Sequence, residues 1–164
     1  MSGGGSTPQM EFPQHVGIHG FTVESVFATK AGGTVASALT DGTGFALAVT
    51  QKGVPAFRFA VKGETVTVAG SASVADGKFH HVLAEIDRAA GKANLYVDGK
   101  LAGSKPFASK GDASTAADLL VGKGFTGDID FLRLAHASLA ESHTDIRELY
   151  TWEFAGPFLK TVAK

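Results

Sequence analysis

Hydrophobic and polar residues alternate with a period of two along most of this chain, and glycine-containing turns interrupt the alternation. In the segment FTVESVFAT, for example, Phe21, Val23 and Phe27 share one face of a strand and Glu24 lies on the other. Successive side chains of a β-strand point to opposite faces of its sheet, so each alternating run predicts a strand. About ten such runs, with turns at a spacing of roughly eight to twelve residues, are typical of an all-β sandwich or barrel.

One segment near the C-terminus departs from this alternation. Ser138-Leu-Ala-Glu141 has the S-x-x-E form of a helix capping box, and the segment SHTDIRELY after it places apolar residues at helical spacing. We therefore predict one short helix near residues 142–151.

The composition fits a globular domain that is neither a nucleic-acid reader nor a membrane protein. Of the 164 residues, 44% are hydrophobic and 19% are charged, a balance that allows a core to be buried. The net charge of -1 provides no long-range field that would favour nucleic acid or an anionic membrane. No apolar stretch reaches the roughly 20 residues that a transmembrane helix needs. The absence of cysteine excludes disulfides and thiolate chemistry.

The N-terminal segment MSGGGSTPQM is rich in glycine and serine and lacks the basic and apolar regions of a signal peptide. Segments of this composition are flexible tethers. We therefore interpret residues 1–10 as a linker or an added expression segment, and residues 11–164 as one domain. This domain is expected to be excised from, or attached to, a larger protein.

Three segments in order resemble a known family. DGKFHHVLAEIDRAAGKANLYVDGKL is similar to the central signature of laminin-G-like, concanavalin A-type jelly-roll domains, although Phe79 stands where that family usually has tryptophan. EFPQHVGIHGFTVESVF resembles the opening of such domains, and FTGDIDFLRLAHASLAESHTDIRELY resembles their closing segment. The resemblance runs from about Glu11 to Tyr150 and implies an antiparallel two-sheet jelly-roll sandwich with one short C-terminal helix.

The resemblance also implies a function. It favours a non-catalytic binding module, most often for carbohydrate, carried beside a catalytic or cell-surface domain of an exported bacterial protein. An extracellular or cell-envelope location is expected on the same ground. Such a module would present planar and charged groups to sugar hydroxyls on a sheet face or loop rim. Its candidate contacts are Arg58, Tyr96 and His81.

The adjacent histidines His80 and His81 suggest a metal or catalytic site, but strand parity separates them. His80 shares a face with Val82, whereas His81 shares the opposite face with Leu83 and Glu85. Unless a bulge intervenes, the two rings cannot bind one metal ion. We interpret the pair as a feature of the fold, and no residue is predicted to be catalytic.

A degenerate or unusual glycoside hydrolase is the enzymatic alternative. Retaining glucanases of the same jelly-roll class carry a Glu-x-Asp-x-(x)-Glu strand, and Glu85-Ile86-Asp87 supplies its first half. The second glutamate is missing, because Arg88 and two alanines follow. Asp87 is therefore interpreted as a hairpin residue.

Calcium is the one cofactor that the resemblance suggests, since related jelly rolls often hold one structural ion. Carboxylate and carbonyl oxygens near turns are suitable ligands for this cation. The candidates are Asp41, Asp112 and Asp130, which lie near turns or in the closing strand, and Asp-Gly and Asp-Ala pairs are also ordinary in turns. The sequence defines no ligand set among them.

The segment after the predicted helix, TWEFAGPFLKTVAK, concentrates large apolar side chains. They either fold back over the sandwich or form an interface with a partner or a neighbouring domain. The second possibility predicts a protein-interaction or assembly module that uses Trp152, Phe154, Phe158 and Leu159.

Overall fold

The structure, a computed structural model, describes residues 20–153 and contains ten strands and one helix within them. The strands are Phe21–Thr29 (β1), Gly33–Thr40 (β2), Thr43–Val49 (β3), Pro55–Val61 (β4), Glu64–Ala69 (β5), Phe79–Asp87 (β6), Lys92–Val97 (β7), Lys100–Pro106 (β8), Leu120–Val121 (β9) and Gly127–Ala135 (β10). The helix is Ile146–Glu153 (α1), and it is too short to cross a membrane. The predicted all-β architecture with a short C-terminal helix is confirmed.

The strands form two antiparallel sheets of five strands each. Sheet I has the order β10-β1-β6-β7-β8, and sheet II has the order β5-β4-β3-β2-β9. Strands that are distant in sequence are therefore neighbours in space, as β1 is with both β6 and β10. The inner faces of the two sheets enclose one hydrophobic core.

Phenylalanines dominate the centre of the core. The ring of Phe21 on sheet I lies 5.1 Å from Phe45 and 5.8 Å from Phe59, both on sheet II. Phe59 meets Phe107 edge-on at 5.4 Å. These tilted and edge-on contacts are the geometries that aromatic rings favour, and they join the two sheets through the alternation that the sequence predicts.

Strand β1 is buried along both of its faces, which simple alternation does not predict. The reason is that residues 136–150, here called the C-terminal cover, pack on the outer face of sheet I. Thr22 on that face donates a hydrogen bond to the carbonyl oxygen of Ala137, at 3.1 Å. Sheet I is thus an inner layer between the core and the cover.

The helix begins four residues later than the sequence pattern indicated. Ser138 and Glu141 do make the reciprocal bonds of a capping box, at 2.7 and 3.1 Å, but these close a turn. The N-cap of α1 is Asp145, whose carboxylate accepts hydrogen bonds from the backbone N–H groups of Arg147 and Glu148, at 2.8 and 3.2 Å. The sequence contains two consecutive capping motifs, and the second one starts the helix.

The β2–β3 hairpin provides a stability test. Gly42 and Gly44 both have a positive φ, of 75° and 124°. A Cβ atom at Gly44 would overlap the carbonyl oxygen of Ala38, whereas one at Gly42 would meet no described atom within 4 Å. We expect Gly44→Ala to lower the free energy of unfolding by about 1–3 kcal/mol more than Gly42→Ala does, as measured by urea denaturation. Equal losses would contradict the close approach at Gly44.

Candidate functional site

A buried ion pair lies on the outer face of sheet I. Glu24 on β1 has a side chain that is 2% exposed, and its Oε1 is 2.6 Å from Nε2 of the fully buried His81 on β6. Its Oε2 is 2.6 Å from Nη2 of Arg133, which lies directly opposite Glu24 on β10. A buried carboxylate is costly unless it is paired. His81 and Arg133 together provide that pairing.

A second buried carboxylate, that of Glu85, fastens the C-terminal cover to the sheet. Its Oε1 accepts a hydrogen bond of 2.6 Å from the backbone N–H of Leu139. Its Oε2 accepts bonds from the amide of Asn94, at 3.0 Å, and the hydroxyl of Tyr96, at 3.1 Å. Burial, and next the negative charge of Glu85, raise the pKa of Tyr96 above its ordinary value. Tyr96 therefore acts as a neutral donor.

A cavity of about 280 Å³ lies between sheet I and the C-terminal cover. Its polar lining residues are Thr22, Glu24, Arg133, Ser142 and Thr144. Its apolar lining includes Leu83 of the sheet and two leucines of the cover, Leu139 and Leu149. The cavity is fragment-sized, and its walls combine apolar side chains with the ion pair of Glu24 and Arg133.

The other histidine, His80, joins two loops. Its Nδ1 is 2.8 Å from Asp98 in the β7–β8 turn, and its Nε2 is 3.1 Å from Asp76 in the segment before β6. Burial by itself lowers the pKa of His80, but its hydrogen bonds to the two carboxylates outweigh that effect and raise the pKa. The parity prediction is confirmed, since the rings of His80 and His81 lie on opposite faces of β6 and have different partners.

The three candidate ligand contacts do not come together. His81 and Tyr96 lie on the outer face of sheet I, where His81 is completely buried and Tyr96 is bonded to Glu85. Arg58 is exposed on β4, on the outer face of sheet II. The sandwich separates Arg58 from the other two, so a single ligand on one sheet face cannot contact all three.

The face around Arg58 is open and carries small side chains. In the ladder that crosses four strands, Arg58 lies between Ala46 and Thr67, and Ser37 follows Ala46. The flanking rows contain alanine, glycine, threonine and one leucine: Thr34, Ala48, Ala56 and Ala69 on one side, and Leu39, Gly44, Ala60 and Thr65 on the other. Arg58 is the one charged residue in these three rows. It projects from a surface of mostly small side chains, among which alanine is the most frequent, together with the hydroxyls of Ser37 and three threonines.

The three candidate calcium ligands do not form a binding site. Asp41 is in the β2–β3 turn of sheet II, and Asp130 is on β10 of sheet I. Asp112 lies in the β8–β9 connection, where its carboxylate accepts a hydrogen bond of 2.8 Å from the backbone N–H of Ser114. Within residues 20–153, no group of three or more histidine, aspartate or glutamate side chains is arranged to hold a metal ion. These residues therefore do not fit a calcium ion as a set.

The carboxylates of the hydrolase alternative have structural partners. Glu85 is 2% exposed and bonded to three donors, as described above. Asp87 accepts a hydrogen bond of 2.9 Å from the backbone N–H of Ala90 and so closes the β6–β7 turn. This is the hairpin role that the sequence indicated for Asp87.

The candidate interface lies largely outside the described residues. Phe154, Phe158 and Leu159 are beyond residue 153, and Trp152 is described only as a backbone position in α1. The interface hypothesis therefore stays a prediction.

Sequence reasoning missed the pairing of Glu24 with Arg133. The available signal was a single charged residue in the strand FTVESVFAT, because a charge in a buried strand requires a partner. Its position opposite Arg133 depends on the register between β1 and β10, which are about 100 residues apart and which no local pattern aligns.

Comparisons with known proteins agree with the jelly-roll fold described above. The model of the Concanavalin A-like lectin/glucanases superfamily matches residues 3–143. None of the curated protein sequences compared with the chain matches it. Among solved structures, the chain is similar to the CBM40 of the Ruminococcus gnavus IT-sialidase bound to α2,3-sialyllactose, with 16% identity and a TM-score of 0.65 over 79% of this chain and 82% of that one.

Two further structures have the same fold. The binding domain of botulinum neurotoxin DC in complex with SialylT is 12% identical, with a TM-score of 0.62 over 82% of this chain and 36% of that one. A putative carbohydrate binding protein from Bacteroides ovatus is 17% identical, with a TM-score of 0.61 over 80% of this chain and 40% of that one. The chain thus spans little more than a third of these two proteins, and at such identities the likeness concerns the fold.

Removal of the Glu85 carboxylate should loosen the C-terminal cover. Glu85→Ala leaves the N–H of Leu139, the amide of Asn94 and the hydroxyl of Tyr96 without their acceptor. We expect a loss of about 3 kcal/mol in the free energy of unfolding, measured by urea denaturation, with faster hydrogen exchange at the Leu139 amide. Glu85→Gln keeps one acceptor oxygen and serves as the control with a smaller loss. An unchanged exchange rate at Leu139 in Glu85→Ala would contradict the fastening role.

The contacts of His80 with Asp76 and Asp98 should make the stability of the protein depend on pH. Because the folded protein raises the pKa of His80 above 6.5, its contribution is complete below that value and is lost as the pH rises through the higher folded value. We expect the free energy of unfolding to decrease from about pH 6 to pH 8, and to decrease less in His80→Gln. Urea denaturation at a series of pH values measures this, with His143→Asn as the control. Identical pH profiles for wild type and His80→Gln would show that these contacts of His80 do not stabilise the fold.

Proposed function

Because this chain belongs to the Concanavalin A-like lectin/glucanases superfamily, we propose that it is a non-catalytic module that binds carbohydrate on the outer face of sheet II. The observation that carries the proposal is the exposed guanidinium of Arg58 at the centre of that face. The face is open over β4 and β5, where Arg58, Thr65 and Thr67 are all exposed. The outer face of sheet I, by contrast, lies beneath the C-terminal cover.

The chemistry of the face favours an acidic sugar. Neutral sugars are commonly held by stacking on an aromatic ring, and the three rows around Arg58 contain no aromatic residue. A planar guanidinium instead pairs with a carboxylate through two parallel hydrogen bonds. The hydroxyls of Ser37, Thr65 and Thr67 are neighbours that can bond to sugar hydroxyls. We therefore infer that the ligand is a glycan that bears a carboxylate.

The solved relatives support this ligand class. The Ruminococcus gnavus CBM40 is described as bound to α2,3-sialyllactose and also as bound to α2,6-sialyllactose. Cell entry of botulinum neurotoxin type C is described as dependent on interaction with two ganglioside molecules. Sialyllactose carries a carboxylate on its terminal sugar, which is the group that Arg58 is suited to pair with.

A binding role also agrees with the state of the acidic residues. Glu85 and Asp87 are engaged in structural hydrogen bonds, so neither is set up as an acid or base in the described residues. Placement of the module beside another domain of an exported bacterial protein, in the extracellular space or cell envelope, stays a prediction from the family. Calcium is tested below by its effect on binding.

The test is a comparison of two trisaccharides with their neutral core. We expect 3′-sialyllactose and 6′-sialyllactose to bind more tightly than lactose in isothermal titration calorimetry, with or without added calcium. Arg58→Gln should weaken binding of the sialylated sugars by about tenfold or more, because a charge-assisted bond is lost. Lys52→Gln removes one positive charge at an exposed turn and is the matched control.

Three outcomes would count against the proposal. Equal binding of lactose and sialyllactose would remove the acidic-sugar preference. If a folded Arg58→Gln variant binds with wild-type affinity, the glycan does not bind at Arg58 on this face. No binding across a broad glycan array, with and without calcium, would contradict carbohydrate recognition as a whole.

A further inference from the structure

The cavity beneath the C-terminal cover has a buried anionic group that the proposed glycan site does not use. Glu24 is one of the residues that line a space of about 280 Å³, and its side chain is only 2% exposed. Leu83, Leu139 and Leu149 provide apolar walls around it. A buried charge beside a hydrophobic, fragment-sized space is an arrangement that holds a charged head group and its hydrocarbon chain.

The pairing of Glu24 determines which sign of charge the cavity accepts. An ionised carboxylate offers about four acceptor positions. His81 approaches Oε1 and Arg133 approaches Oε2, each at 2.6 Å. These two contacts leave acceptor capacity at the carboxylate for a further donor. Once Arg133 has moved away, an anion placed there would be repelled by Glu24, whereas a cation would be attracted.

Arg133 is positioned so that another cation can displace it from Glu24. Its side chain is 44% exposed, in contrast to the completely buried His81. Because the Arg133 guanidinium is already partly hydrated, its movement into water costs little, provided that another cation takes over the pairing with Oε2 of Glu24. In this same position, the Arg133 guanidinium also lies 5.8 Å from the centre of the Phe131 ring.

We propose that this cavity binds a small alkyl cation. Its ammonium or guanidinium head pairs with Glu24 in place of Arg133, and its short hydrocarbon chain packs against the three leucines. This binding is separate from carbohydrate recognition, because the cavity and Arg58 lie on opposite outer faces of the sandwich. Either activity can fail without the other.

The test uses four probes that share one hydrocarbon chain. Methyl resonances of the leucines are followed by NMR during titration with n-butylguanidinium, n-butylammonium, n-butanol and butyrate. We expect saturable shifts at Leu83, Leu139 and Leu149 with the two cations, and none with the alcohol or the anion. Equal responses to butanol would show hydrophobic filling alone and would overturn the proposal, as would the absence of saturation with both cations.

Two variants separate the roles of the charges. Arg133→Gln removes the competing cation and should strengthen butylguanidinium binding by about fivefold. Glu24→Gln should abolish it. Lys52→Gln, which removes an equal charge at a distant turn, should leave the affinity unchanged. If Arg133→Gln binds butylguanidinium with unchanged or lower affinity, the ligand does not displace Arg133 from Glu24 and the proposal is overturned.

Loss of the buried charge in Glu24→Gln could also unfold the protein, so a second variant keeps Glu24 in place. Ala137→Leu adds bulk to the lining of the cavity and retains the ion pair. It should weaken butylguanidinium binding at least tenfold while circular dichroism and the melting transition remain those of a folded sandwich. Wild-type affinity in a folded Ala137→Leu variant would overturn the cavity as the site.

Discussion

The two carboxylates on the outer face of sheet I, Glu24 and Glu85, are buried, and most of the architecture around them follows from that fact. A charge removed from water must be paired and hydrogen-bonded, or the fold loses several kcal/mol. Glu24 obtains its partners from β6 and β10, and Glu85 obtains one of its partners from the C-terminal cover. These bonds connect strands and a loop that are remote in the sequence. They make the face a closed polar layer and define how the cover is positioned on it.

Closure of one face determines where function can lie. With the central strands of sheet I covered, the broad surface left open within residues 20–153 is the outer face of sheet II, where the small side chains of β3 and β4 leave the Arg58 guanidinium projecting. The same cover creates the cavity over Glu24, because its leucines do not fill the space above the carboxylate. The open face and the covered cavity are thus two consequences of one asymmetric packing arrangement.

Much of the fold could be predicted from sequence, because alternation with period two is a local property. The strands of FTVESVFAT and FHHVLAEID, the separation of His80 from His81, and the hairpin role of Asp87 were all accessible in this way. The helix was predicted but placed too early, since Ser138 and Asp145 both begin capping motifs and only the packing of the chain decides which one starts a helix. The candidate contacts Arg58, Tyr96 and His81 were chosen from the sequence for the chemistry of their side chains. Their grouping as one site was not supported, because sequence does not specify which sheet a strand joins.

The sequence by itself determined the antiparallel strands, the face on which each side chain lies within its strand, and the membership of the superfamily. These depend on local periodicity and on motifs of contiguous residues. The tertiary structure decided that β1 lies between β6 and β10, that Glu24 meets Arg133, and that residues 136–150 cover one face and leave the other open. Those outcomes depend on pairing between strands about 60 to 110 residues apart, which is set by the burial of the whole core and by the need to neutralise its buried charges.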